Sequence, residues 1–158
     1  MISILFIEDD DGKAARVEEF VSMTFDDARV TRMRSFNSGL RSLADRSSKF
    51  DLVLLDMTMP LFDSSPSTSG ASAPEQLAGR DLLAQMKLRR ITVPTIIVSM
   101  HDRFGEGVAR KSLKEITDEL KENFSPTYAG VVYYNATEEH WKSELKNIMS
   151  SVIRELKK

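Results

Sequence analysis

Cysteine is absent from the sequence, which rules out disulfides, thiolate metal ligation and thiol catalysis and fits an intracellular protein. Charge of either sign is not in excess: 24 acidic residues stand against 22 basic ones, a net charge of −2. No global field therefore recruits nucleic acid or an anionic membrane. Long apolar runs are missing too. Nothing approaches the length of a membrane span, and the N-terminal run at residues 2–7 is too short, and lacks the basic flank, to be a signal peptide. There is no Gly-Lys-Ser phosphate loop, and Gly105-Glu106-Gly107 lacks the third glycine and the strand–helix setting of a dinucleotide loop. What remains, 158 residues that are 41% apolar and 29% charged, is the composition of a soluble globular chain. One cytoplasmic domain with a real core is expected.

The most informative stretch is residues 50–60, FDLVLLDMTMP. Its apolar run, Leu52 to Leu55, stops abruptly at Asp56, and Met59-Pro60 follow. A short continuous apolar run fits a strand buried on both faces, as in the middle of a parallel sheet. Asp56 then lies at the carboxyl end of that strand, where open α/β sheets place their ligands. Taken alone, such a carboxylate more often caps a turn or a helix.

The rest of the chain has the same grammar. Residues 2–7 form an apolar run ending in Glu8-Asp9-Asp10-Asp11, and residues 13–23 carry Ala14, Val17, Phe20 and Val21 at helical spacing. Asp10 or Asp11 is expected to cap that helix. Residues 28–34 read as a weak strand and 38–47 as a short helix. Residues 61–78 contain SSPSTSGASAP, a composition with too little apolar surface to offset ordering entropy, so a mobile loop is expected. Helical spacing resumes at 79–90. A third apolar run, VPTIIVS at 93–99, ends in Ser99, and a polar loop follows at 101–107. Ala109, Leu113, Ile116, Leu120 and Phe124 mark a long amphipathic helix stopped by Pro126. Residues 130–134 (GVVYY) are the last strand, and Thr137 is expected to cap a final helix with Trp141, Leu145, Ile148, Val152 and Leu156 buried. Strands and helices alternate five times, which argues for an α/β fold with a parallel sheet and helices on both faces.

In a parallel sheet all carboxyl ends lie on one edge, so Glu8-Asp9, Asp56 and Ser99 converge. Clustered carboxylates repel unless a cation bridges them, and oxygen-only donors suit a hard ion such as Mg²⁺. A hydroxyl at the third strand end can bond a phosphoryl oxygen. Together these groups suggest phosphoryl transfer involving a carboxylate. His101, alone in a loop, reads as solvent-facing, and His140 as structural.

ILFIEDD, DLVLLDMTMP, Gly79 opening the third helix and VPTIIVS together resemble the receiver domain of two-component response regulators. The resemblance covers nearly the whole chain. It implies a doubly wound, five-stranded flavodoxin-like fold over residues 1–158. Two stretches look longer than in that family: 61–78, expected as a flexible insertion, and 101–129, expected to extend the fourth helix near 107–125. By the same resemblance, Asp56 accepts a phosphoryl group from a histidine kinase's phosphohistidine in a phosphorelay. Glu8, Asp9, Asp56 and the backbone carbonyl of Thr58 hold Mg²⁺, and Ser99 is the switch hydroxyl. Self-phosphorylation with slow hydrolysis, rather than turnover of a metabolite, is the implied chemistry. The implied partners are a histidine kinase or phosphotransfer protein and a downstream protein, and the fourth and fifth helices are the implied surface of a homodimer.

One departure stands out. The family's lysine at the end of the fifth strand is missing, and Tyr134 or Asn135 stands in its place. Neither carries a full positive charge; Arg103 and Lys142 are the candidates to supply one from a neighbouring loop or helix. The missing lysine motivates a second expectation, a pseudo-receiver that binds partners without phosphate. Phosphatases of the haloacid dehalogenase type are disfavoured, because Thr58 stands where their second aspartate is needed.

Overall fold

The computed structural model describes residues 1–63, 74–101, 103–104 and 111–158. Its frame is a five-stranded parallel sheet in the order Ala28–Met33, Ile2–Ile7, Leu52–Leu55, Thr95–Ser99, Tyr128–Tyr133. These strands are β1 (Ile2–Ile7), β2 (Ala28–Met33), β3 (Leu52–Leu55), β6 (Thr95–Ser99) and β9 (Tyr128–Tyr133). The helices are α1 (Asp11–Thr24), α2 (Phe36–Ala44), α3 (Ala78–Leu88), α4 (Leu113–Phe124) and α5 (His140–Leu156). Among the described residues there are also two short antiparallel ribbons. Met59–Pro60 (β4) pairs with Pro74–Glu75 (β5), and Arg103–Phe104 (β7) pairs with Lys111–Ser112 (β8).

The central strands are apolar throughout because both of their faces are covered. Side chains alternate across the sheet. Ile4, Phe6, Leu52, Leu54, Ile96, Val98 and Val132 enter one core with α1 and α5. Leu5, Ile7, Val53, Leu55 and Ile97 enter the other with α3 and α4, against which Leu40 and Leu43 of α2 also pack. Trp141 anchors the first core, 1% exposed and 5.5 Å from Phe20 ring to ring.

Caps fix the helix starts. Asp10 accepts from the Lys13 amide at 3.0 Å and starts α1. Buried Ser35 starts α2 through a capping box with Ser38. Ser35→Ala is expected to lower stability by about 1 kcal/mol, read as a shift of the urea midpoint at unchanged slope. Thr137 is not a cap: its amide and hydroxyl both donate to Asn135 Oδ1, and α5 begins three residues later. The fourth helix is also shorter than the sequence suggests. It starts at Leu113, capped by Ser112, because Lys111–Ser112 is held extended in a ribbon. Of the expected extension, residues 107–110 lie outside the described residues, as do residues 64–73 of the expected flexible insertion. The described flanks of that insertion are the β4–β5 ribbon and, from Ala78, α3.

Candidate functional site

From β1 the chain crosses outward to β2 and then back past β1 to β3, so the strand order reverses between β1 and β3. The crevice beyond the carboxyl ends at such a reversal is where open α/β sheets bind ligands. Ile7 is in register with Leu55, and the Asp56 amide donates to the Ile7 carbonyl at 3.1 Å. Glu8 and Asp56 therefore leave neighbouring strands side by side. By alternation both project to the α1/α5 side, following Phe6 and Leu54.

A cleft of about 210 Å³ opens at this edge, lined by Glu8, Asp9, Asp10, Asp56, Thr58, Met59, Pro60, Met100 and His101. Asp56 is nearly buried. Its polar contacts among the described residues all fall on Oδ1, from the Thr58 amide at 3.4 Å and from Lys13 Nζ at 3.4 Å. Glu8 is buried at the back of the cleft, and Asp9 and Asp10 stand exposed at its mouth. Asp11 points away to Arg32 and Arg34, at 2.9 and 2.7 Å. Hydrogen bonds from those two guanidiniums hold its carboxyl below the usual range.

Lys13 was not among the residues expected here. Its side chain is 1% exposed, and its Nζ lies 2.6 Å from Glu8 Oε1, 2.6 Å from the Val98 carbonyl and 3.4 Å from Asp56 Oδ1. The signal was present in the sequence. Lys13, Val17 and Val21 fall at i, i+4 and i+8, and all three are on the buried stripe of α1. Burial pushes the Glu8 carboxyl up to about 7, opposed by the Lys13 charge and reinforced by the Asp56 charge.

The other sequence candidates take different positions. Tyr134 is 3% exposed and packs on Trp141, with centroids 5.0 Å apart. Its ring lies 5.9 Å from both Lys13 Nζ and the Arg16 guanidinium, behind the acids rather than in the cleft. Asn135 turns to Thr137. Lys142 pairs with Glu139 at 3.0 Å, and the Arg103 side chain lies outside the described residues. Ser99 is fully buried and belongs by parity to the opposite core; its hydroxyl donates to the His101 carbonyl and accepts from the His101 amide, each at 3.1 Å.

The acidic side chains lining the cleft offer oxygen donors, which in kind suit a hard divalent cation, and His101 also lines it. Glu8 Oε1 is buried and faces the Lys13 ammonium at 2.6 Å, so an ion there would share that oxygen with Lys13. As arranged, no three Asp, Glu or His side chains among the described residues gather closely enough to hold a metal. The Lys13 ammonium stands between the two innermost carboxylates.

No protein-family model matches the chain. It is 33% identical over 144 residues, 91% of its length and 95% of the relative's, to the Detocs response regulatory protein DtcB of Enterobacter cloacae. Among solved structures it resembles a response regulator receiver domain protein from Clostridium thermocellum, with TM-score 0.66 at 18% identity, covering 99% of this chain and 98% of that one. It also resembles the Mn²⁺-bound form of response regulator Rcp1, with TM-score 0.65 at 15% identity, covering 95% and 93%.

Proposed function

Since this chain belongs to the response-regulator family and has its receiver fold, we propose that Asp56 accepts a phosphoryl group from the phosphohistidine of a histidine kinase or phosphotransfer protein. The observation that carries this reading is the placement of Asp56 at the strand-order reversal. It opens on a cleft, with Oδ1 engaged by Thr58 and Lys13 and, among the described residues, no partner on Oδ2. Oδ2 is the nucleophile in this reading. The Thr58 amide fixes the carboxylate plane, and burial limits the water that would hydrolyse the product.

Glu8, Asp9, Asp56 and the Thr58 carbonyl are the residues that would hold Mg²⁺. The ion would offset the repulsion between an anionic donor and an anionic acceptor. Asp9 stands at the mouth, where an ion arrives from solvent, and Glu8 lies at the floor. Ser99 would act as the switch hydroxyl by exchanging its bonds to His101 for one to the acyl phosphate, a rearrangement that moves the 99–101 segment and alters the surface offered to a downstream protein. Tyr134 and Asn135, placed behind and beside the site, are not positioned to bind the phosphoryl group themselves.

The test is intact-mass analysis after incubation with phosphoramidate, with and without Mg²⁺. A single Mg²⁺-dependent phosphoryl adduct is expected, and it should be missing from Asp56→Asn. A wild-type protein that takes up no phosphate under any of these conditions would overturn the reading and leave a binding module with a receiver's fold.

A further inference from the structure

The group at this site that the proposed reaction does not require is Lys13, and its placement is costly enough to need a reason. A lysine ammonium at 1% exposure has given up its water and is tolerated only where protein groups replace it. Here three acceptors do so, matching the three N–H bonds of an ammonium. Two contacts are short, 2.6 Å each to Glu8 Oε1 and the Val98 carbonyl. The third, to Asp56 Oδ1, is long at 3.4 Å. The stem is anchored at the first turn of α1, where the Lys13 amide binds the Asp10 cap, and the ammonium lies near the Tyr134 ring. Two firm contacts hold the charge in place, and one loose contact faces the reacting carboxylate.

We propose that Lys13 is the site's fixed cation, holding Asp56 before the reaction and binding the oxygens of the phosphoryl group after it. This rests on phosphorylation of Asp56 as proposed above. In the transfer, an Asp56 oxygen–phosphorus bond forms while the donor's phosphorus–nitrogen bond breaks, and the nitrogen keeps the electron pair. No proton leaves Lys13. The Asp56 carboxylate loses its charge on becoming an acyl phosphate, and new anionic oxygens appear one bond further out. The long contact then has a stronger acceptor within reach, while the two short ones stay as they are. Preorganised charge of this kind acts on the transition state because it needs no rearrangement at the moment of reaction.

If Lys13 only neutralised buried acids, its removal would change folding but not the rate at fixed Mg²⁺ occupancy. The experiment compares wild type, Asp56→Asn, Lys13→Met and Lys13→Gln, the last keeping a donor toward Val98 without the charge. Initial rates with phosphoramidate are read by intact mass, and Mg²⁺ affinity by calorimetry. Loss of one charged contact is expected to slow adduct formation roughly 10- to 100-fold. Mg²⁺ binding should be as tight or tighter, because a competing cation has gone. Adding Tyr134→Lys to Lys13→Met should restore much of the rate, by supplying an ammonium to the same space from the sheet. Wild-type rates in both Lys13 variants would overturn the inference and leave the proposed function standing. So would a slower rate explained wholly by weaker Mg²⁺ binding. No adduct on wild type would overturn the proposed function, and this inference with it.

Discussion

Gly79→Ala is expected to cost about 2 kcal/mol of stability and to slow phosphorylation of Asp56 about tenfold. A Cβ at Gly79 would lie 2.7 Å from the Asp56 carbonyl oxygen and 2.9 Å from Met57 Cα, both backbone atoms that cannot swing aside. The amide of Gly79 also donates to the Met57 carbonyl at 2.9 Å, so the first turn of α3 is laced to the segment after Asp56. Overpacking of a tight site costs typically up to about 3 kcal/mol, and alanine's better helix propensity returns about 1. The remainder would appear in urea unfolding. Relief requires the 56–57 backbone to move by roughly half an ångström, and misplacement of that order lowers rates where geometry controls the reaction. Stability and phosphorylation both at wild-type levels would mean that α3 does not brace the Asp56 turn.

The close approach at Gly79 was only half legible in the sequence. A glycine opening a helix is visible, whereas the carbonyl it must clear belongs to another strand's exit. The five-fold alternation and the buried runs were legible because short apolar runs bounded by polar residues recur between segments of helical spacing, as Leu52–Leu55 illustrates. Element ends were less so. Thr137 has the chemistry of a cap, but Asn135 captures it in a local turn that competes with the helix. The ribbons at Met59–Pro60 and Arg103–Phe104 are two residues per strand, too short to have a period.

The convergence of Glu8 and Asp56 was legible because strand ends meet at one edge of a parallel sheet whatever the loops do. Lys13 was missed because a lysine in the first turn of a helix ordinarily reads as solvated. The last strand and its neighbours offer Tyr134, Asn135, Arg103 and Lys142 in the place of the missing lysine. The ammonium that lies between Glu8 and Asp56 belongs instead to α1. Tyr134 fills the space at the strand end with an apolar ring, and α1 delivers the ammonium beside it.

Glu8 gives the second large effect, a stability that falls as pH rises through the acid-to-neutral range in chelator. Its carboxyl is pushed from 4.5 up to about 7, chiefly by burial. Between those pH values the folded protein keeps a proton that the unfolded chain has released, so the folded state loses relative stability as pH increases. The contribution is fully present below about 4.5 and gone above about 7; a shift of that size corresponds to about 3 kcal/mol over the window. The direction is opposite to that of an acid in an ordinary salt bridge, whose folded form is stabilised by ionising. Other groups titrate too, so the measurement is the difference between wild type and Glu8→Gln in urea unfolding at several pH values. The difference should fall by about 3 kcal/mol from pH 4.5 to 7. A flat difference would mean that Glu8 titrates alike folded and unfolded. A rising one would mean that Lys13 compensates for burial completely and holds Glu8 ionised, which would make the pair a conventional buried salt bridge rather than an acid kept half-protonated at the floor of the cleft.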